Sequence, residues 1–167
     1  MMKILETERL ALREFETGDA EFIFELLNTP KFLRYIGDRG VHSVEDAQEA
    51  IENRYRQSYV DNGFGFYVVE LRESNIRVGI CGFVTRDLLP GPDLGFAFMP
   101  KHERKGYGYE SAFAMLKHGR EQLGFTTVLA ITSLDNDASI ALLEKLGFRF
   151  DKLIDSGGEK IRLFVSD

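Results

Sequence analysis

The segment that most restricts how this chain can fold is Asp93 to Leu123, where a strand pattern passes through a short glycine-bearing loop into a helix pattern. From Asp93 to Met99, Leu94, Phe96 and Phe98 share one face while Gly95 and Ala97 take the other, the period of two expected of a strand. The loop Pro100-Lys101-His102-Glu103-Arg104-Lys105-Gly106-Tyr107-Gly108 follows. A helix then runs from about Gly108 to Leu123, with Tyr109, Ala112, Phe113, Leu116, Arg120 and Leu123 at helical spacing. A helix opening presents unpaired N–H groups and a partial positive charge, which suit a phosphate. Gly106 and Gly108 lack Cβ atoms, so a ligand can approach their backbone, and Arg104 and Lys105 add cations. The competing reading is a tight turn that carries surface charges.

Around this segment the pattern alternates between strands and helices. Thr7 to Arg13 reads as a half-buried strand around Leu10 and Leu12. Thr17 is expected to cap a helix reaching about Leu27, which Asn28-Thr29-Pro30 ends. Ser43 with Asp46 three residues on opens a second helix whose stripe is Val44, Ala47, Ile51, Tyr55 and Tyr59. Phe66–Leu71 and Arg77–Arg86 form a hairpin about Ser74-Asn75, and Pro90-Gly91-Pro92 breaks the chain before the central strand. Thr126–Ser133 is a strand, and Asp135-Asn136 caps a short helix ending at Leu146 with Gly147 beyond it. Arg149–Ile154 and Lys160–Val165 close the chain as a hairpin around Ser156-Gly157-Gly158. Helices thus interleave with an antiparallel meander, a mixed α/β class. A chain of 167 residues fits one domain, so residues 1–167 are expected to form a single unit.

Composition narrows the partners. The formal net charge is −6, and no basic patch or basic region stands out, which argues against nucleic acid. An acidic surface favours a cationic acceptor weakly by steering, or simply serves solubility. A lone cysteine, Cys81, forms no internal disulfide, which fits a reducing compartment. The charged N-terminus lacks a signal-peptide apolar region, and the longest apolar stretch, Val78 to Val84, is far below the ~20 residues of a membrane span. The expected location is the cytoplasm, away from the membrane. Cys81 between glycines reads as a small core residue, and His42, His102 and His118 show no metal-ligand spacing, so no metal is expected.

The loop is neither of two common phosphate motifs. No Gly-Lys-Ser/Thr follows a first glycine as in a Walker A loop. Ser111 stands where a dinucleotide fingerprint needs Gly or Ala, and the strand before it belongs to a meander. The loop instead resembles the GNAT superfamily of N-acetyltransferases, whose signature is Gln/Arg-x-x-Gly-x-Gly/Ala. Gly106 and Gly108 match the two small positions, and Glu103 stands where Gln or Arg is expected, beside Arg104. Gly106-Tyr107-Gly108-Tyr109-Glu110-Ser111 looks like the Gly-Tyr-Ala/Gly-Thr-Glu-Ala of the branch related to ribosomal-protein N-terminal acetyltransferases. Leu94-Gly95-Phe96, Thr7-Glu8-Arg9-Leu10, Asn136-x-x-Ser139 and Glu144-Lys145-Leu146-Gly147-Phe148 resemble further blocks of that branch, in order, over nearly the whole chain.

The resemblance implies a mostly antiparallel central sheet of about seven strands flanked by about four helices. It implies acetyl-CoA as co-substrate, its pyrophosphate on the amides of Arg104, Lys105, Gly106, Tyr107, Gly108 and Tyr109. The pantetheine arm would lie near Phe98 and Met99, and a strand amide would face the thioester carbonyl. An amine then attacks directly, with no acyl-enzyme. Many relatives place a proton-donating Tyr seven residues after the Asn of the last helix; here that position is Leu143. Ser139 is the replacement candidate, or else a hydroxyl bonded within its helix turn. Asn136 would contact the pantetheine, cap the helix, or do both. Asp93 is the candidate base, where the branch often has Glu, or else a turn residue after Pro92. Tyr35 falls in the segment that often walls the acceptor site, or is plain packing.

The leading expectation is an N-acetyltransferase acting on a primary amine, either a protein N-terminus or a small molecule, with homodimerisation a weak corollary. The alternatives are an acyl-CoA-binding sensor without turnover, kept open by Glu103 and Leu143, and a nucleotide-dependent oxidoreductase, disfavoured by Ser111.

Overall fold

The computed structural model describes residues 2–167. Its strands are β1 (Lys3–Glu6), β2 (Leu10–Arg13), β3 (Phe66–Leu71), β4 (Arg77–Val84), β5 (Asp93–Phe98), β6 (Val128–Ser133), β7 (Arg149–Ser156) and β8 (Glu159–Ser166). Its helices are α1 (Ala20–Leu27), α2 (Pro30–Tyr35), α3 (Val44–Ala50), α4 (Arg56–Asn62), α5 (Tyr107–Glu121) and α6 (Asp137–Lys145). The eight strands form one sheet in the order β1-β2-β3-β4-β5-β6-β8-β7. Every neighbouring pair is antiparallel except β5 and β6, which run parallel.

Strand alternation sorts the core into two sides. Tyr67, Val69, Cys81, Phe83 and Leu94 pack with Ala112, Met115 and Leu116 of α5 and Leu143 of α6. Val68, Ile80 and Ala97 pack with Ile23 and Leu26 of α1, Phe32 of α2, and Ala47 and Ala50 of α3. The mixed sheet expected from the strand patterns is therefore present, with eight strands in place of about seven and six helices in place of about four.

The extra elements come from turns that composition does not disclose. Residues 7–13, which read as one strand, divide at a turn in which Thr7 N donates to Leu10 O and Leu10 N donates to the Thr7 hydroxyl. The segment before it becomes β1, paired with β2. Asn28-Thr29-Pro30 ends α1 but also opens α2: Thr29 accepts from Phe32 N, and Pro30 takes the first helical position, where a missing N–H costs nothing. Thr17 is not a cap. It begins a 3-10 turn over Thr17–Asp19, with Glu16 in the capping position. Ser43 does cap α3 by accepting from Asp46 N, whereas the Asp46 carboxylate accepts from His42 N. Between α3 and α4, Ile51–Tyr55 forms a single π-helical turn.

A buried ionic cluster ties the α1 side to the sheet. Arg13 on β2, 3% exposed, donates to both oxygens of Asp19 at 2.8 Å and to Glu70 on β3 at 3.1 Å. Asp19, fully buried, also accepts from Arg77 on β4 at 2.6 Å and from Glu16 N at 2.9 Å. Burial opposes the charge on Asp19, yet Arg13, the Glu16 amide and Arg77 hold its carboxyl below the usual carboxylate range. The stability it contributes is therefore present above about pH 4, its unfolded value, and is lost as pH falls through the depressed folded value.

Removing one partner strands the others without compensation in the interior. Asp19→Ala is expected to lower the free energy of unfolding by about 3–5 kcal/mol. Urea denaturation at pH 7 measures it, and a loss below about 1 kcal/mol, no more than a surface ion pair, would contradict this account.

Candidate active site

The site begins where two strands part. β5 and β6 share a single residue pair, Asp93 with Leu129, clamped by Leu129 N donating to Pro92 O at 2.9 Å. Beyond it they diverge and leave a cleft of about 780 Å³. One wall carries Leu94 to Ala97 of β5, and the other carries Ala130 to Ser133 of β6 with Asn136, Ser139 and Leu143. Toward the α1–α4 side the cleft reaches Tyr35 and Tyr55, and toward the last hairpin it reaches Ser156 and Glu159.

The parted strands expose donors. Met99 N donates to Val78 O, and alternation along an antiparallel pair then turns the amides of Phe96 and Phe98 away from β4 into the split. Phe98 can thus offer an amide to the cleft, while the Met99 amide is engaged by β4 and its side chain is buried in the α1–α4 core. On β6, the hydroxyls of Thr132 and Ser133 are buried without a hydrogen-bond partner among the described residues. Buried polar atoms left unpaired are costly, and here they line the space where a polar arm would run.

At the C-terminal end of β5, the chain makes a 3-10 turn at Pro100–His102 and enters α5 with Gly106 in the capping position. The first helical bond is Glu110 N to Gly106 O. Among the described residues, the amides of Arg104, Lys105, Gly106, Tyr107, Gly108 and Tyr109 find no acceptor. Arg104 at φ 61° and Gly106 at φ 83° are both left-handed, a conformation that gathers successive N–H groups into an anion-binding concavity. A row of unspent donors of this kind suits a phosphate. The two glycines differ in role. Gly106 is needed for its positive φ, whereas a Cβ on Gly108 would lie 3.2 Å from Leu142, so Gly108 keeps α5 close to α6.

Other residues hold the loop from outside. Glu110 accepts from the Thr7 hydroxyl at 2.5 Å, from Arg9 N at 3.0 Å and from Arg9 Nε at 2.7 Å. Arg9 Nη1 also donates to Lys105 O at 2.8 Å, and its guanidinium sits 4.6 Å from the Tyr107 ring. Lys145 lies 4.3 Å from the Tyr109 ring. Glu103, the departure from the family signature, pairs with Lys31 of α2 at 2.7 Å, which neutralises its charge beside the loop.

Asp93 stands at the vertex of the split, 2% exposed, with Arg86 Nε donating to its Oδ2 at 2.5 Å. Burial, against the pull of Arg86, pushes its carboxyl up to about 6. Ser139 lines the cleft; its amide donates to Asn136 Oδ1 at 3.3 Å, and its hydroxyl has no partner among the described residues. Asn136 therefore caps α6 through Oδ1 while its Nδ2 is left for the cleft. Leu143, where many relatives have Tyr, is 1% exposed and belongs to the core. Tyr35 borders the cleft with Arg34 4.9 Å from its ring. Cys81 is fully buried, and burial pushes its thiol up to about 12, so it offers no thiolate. Among the described residues, no group of three or more His, Cys, Asp or Glu side chains is gathered for a metal.

A family model described as "Acetyltransferase (GNAT) domain" matches residues 9–149. The chain belongs to the GNAT acetyltransferases. It is an acetyl-CoA-dependent N-acetyltransferase of that family. It is similar to YoaA of Bacillus subtilis (strain 168), named as an uncharacterized N-acetyltransferase, at 31% identity over 89% of this chain and 84% of that one. A GNAT-family acetyltransferase structure from Bacillus anthracis superposes with a TM-score of 0.81 at 28% identity, covering 99% of this chain and 98% of that one. RimL, a ribosomal L7/L12 alpha-N-protein acetyltransferase in complex with coenzyme A, shares the fold with a TM-score of 0.78 at 14% identity, over 98% and 97% of the two chains.

Thr132, Ser133, Arg86 and the Thr7–Arg9–Glu110 clamp were not among the residues expected from the sequence to take part. Only the clamp had a signal, since both of its halves lie within blocks that resemble the family.

Two substitutions separate the glycine roles. Gly106→Ala forces a left-handed alanine, at about 1–2 kcal/mol, and is expected to weaken coenzyme A binding about tenfold by calorimetry. Gly108→Val is expected to lower the melting temperature as well, through α6. Undiminished affinity in Gly106→Ala would refute the loop assignment.

Proposed function

We propose that residues 1–167 act as a single acyltransferase domain that moves acetyl directly to a primary amine, of a small molecule or a protein N-terminus, in the cytoplasm. The observation that carries this reading is the divergence of β5 and β6 from Asp93, which leaves strand amides and a buried carboxyl facing one channel. In that channel acetyl-CoA supplies a thioester whose acetyl group an amine can take. No helix among the described residues is long and apolar enough to cross a membrane.

Each group has a role that its chemistry suits. The amides of Arg104 to Tyr109 hold the diphosphate, and Asn136 Nδ2 with Thr132 and Ser133 supports the polar arm. An amide of Phe96 or Phe98 donates to the carbonyl oxygen as charge develops there, a contribution worth about 3–4 kcal/mol elsewhere. Asp93 Oδ1, which Arg86 leaves free, accepts the proton that the amine sheds as its lone pair is drawn away. A carboxyl near pH 6 is ionised at neutral pH and still basic enough for this transfer. The Ser139 hydroxyl donates a proton to the departing sulfur. Tyr35 walls the amine side.

A thiol-release assay with acetyl-CoA against a panel of amines and N-terminal peptides tests the reading, with mass spectrometry of the acetylated product. Tight acetyl-CoA binding with no thiol release across the panel would support the sensor reading instead. Ser139→Ala is expected to lower kcat about a hundredfold while leaving coenzyme A affinity near wild type. Asp93→Asn is expected to remove the acid limb of kcat/KM near pH 6, leaving only the higher limb set by the amine. The raised carboxyl sets the sign: activity needs the ionised form and so rises with pH through about 6. An unchanged profile would take Asp93 out of the mechanism.

A further inference from the structure

We infer that the amine this cleft accepts also carries an oxyanion, a carboxylate or a phosphate, which Arg39 and Arg54 bind. The inference rests on the reading of the cleft as the acceptor site and names the class of acceptor.

Four arginines line the cleft, Arg34, Arg39, Arg54 and Arg86, against two carboxylates, Asp93 and Glu159. Two of the four are already paired. Arg86 is held by Asp93, and Arg34 by Asp135 at 3.2 Å. Arg39 and Arg54 have no carboxylate within ion-pair distance among the described residues; Arg54 Nη1 reaches only the Arg39 carbonyl, at 3.2 Å. The nearby acids are turned elsewhere. Asp38, adjacent to Arg39 in the chain, accepts from the Gly40 amide and engages His42 Nε2 at 2.8 Å. Glu52 faces Arg56 at 3.8 Å.

Both side chains are exposed, but the backbone that carries them is held. Arg54 lies in the π-helical turn, next to Tyr55, whose ring stacks on buried Phe15 at 4.6 Å. Arg39 lies between Gly37 at φ 104° and Gly40 at φ 77°, in a tight turn beside α2. Partial desolvation is the main cause that holds the Arg39 guanidinium below its usual range, and the like charges of Arg86 and Arg54 add to it. Crowding of this kind costs stability unless an anion relieves it. Guanidinium forks match carboxylate and phosphate geometry, and both residues are exposed to solvent, so an incoming anion can reach them.

The local field therefore opposes the charge of the whole chain. A net charge of −6 suggested a cationic acceptor, but the acceptor wall is positive and would repel a polyamine.

Matched acceptors under saturating acetyl-CoA provide the test, read by thiol release. The carboxylate arm compares phenylalanine with phenylethylamine, the phosphate arm compares glucosamine 6-phosphate with glucosamine, and spermidine is the cationic control. In at least one arm the anionic member is expected to have a kcat/KM higher by about tenfold or more, through KM, as a charge-assisted pair would give. The preference is expected to shrink with added KCl. It should collapse in Arg54→Gln and Arg39→Gln and partly return in Arg54→Lys, with acetyl-CoA affinity at the wild-type level in all three. Equal or better turnover of the neutral amines or spermidine would overturn the inference and leave the transferase reading standing. No thiol release with any acceptor, with acetyl-CoA shown to bind, would count against the transferase reading itself and take the inference with it.

Discussion

The site depends on a sheet whose hydrogen-bonded ladder is interrupted at its centre. β5 and β6 meet at one residue pair and then part, although strands in a sheet ordinarily satisfy each other's backbone along their whole length. The parting leaves amides of β5 and hydroxyls of β6 without partners, at an energetic cost the rest of the domain must carry. β5 is secured on its other edge by six residue pairs with β4, and β6 by six with β8, so each half of the sheet is complete without the other. On the proposed reading, a polar arm entering the gap would complete the interrupted sheet, and orientation of two reactants would be the protein's main contribution.

The features legible in the sequence were local. Strand alternation from Asp93 to Met99, the cap at Ser43, the cap at Asn136 and the glycine loop each depend on residues within a few positions of one another. The concealed features were set by distance along the chain. Glu103 meets Lys31 across 72 positions, and Thr7 meets Glu110 across 103. No single-sequence pattern relates such partners. The short helix α2 was hidden for a different reason, because Pro30 serves equally as a stop signal and as a first helical residue. Net charge is silent about the cleft for a similar reason. A sum over the chain reports nothing about which side chains the fold brings to one wall, and the arginines that line the cleft are spread over Arg34, Arg39, Arg54 and Arg86.

Two polar assemblies divide the labour. The buried Arg13–Asp19–Glu70–Arg77 cluster joins β2, β3 and β4 to the 3-10 turn before α1. The half-exposed Thr7–Arg9–Glu110 clamp joins the β1–β2 turn to the first turn of α5 and fixes the phosphate loop. Glu110 gains further from its place near the positive end of the helix. The glycine loop and the α1 side are thereby anchored from the two ends of the same strand, β2.

The π-helical turn at Ile51–Tyr55 has a consequence for how such a site can change over generations. A turn of this kind carries one residue more than the α-helical turn it replaces. Loss of one residue there would relax the turn to regular helix and rotate α3 by about 100° relative to α4, with the helix itself left unbroken. Arg54 and Tyr55 stand at that joint. An indel, which elsewhere in a helix scrambles the packed face, would here exchange the side chains shown to the cleft, giving a lineage a short mutational path to a cleft of different charge.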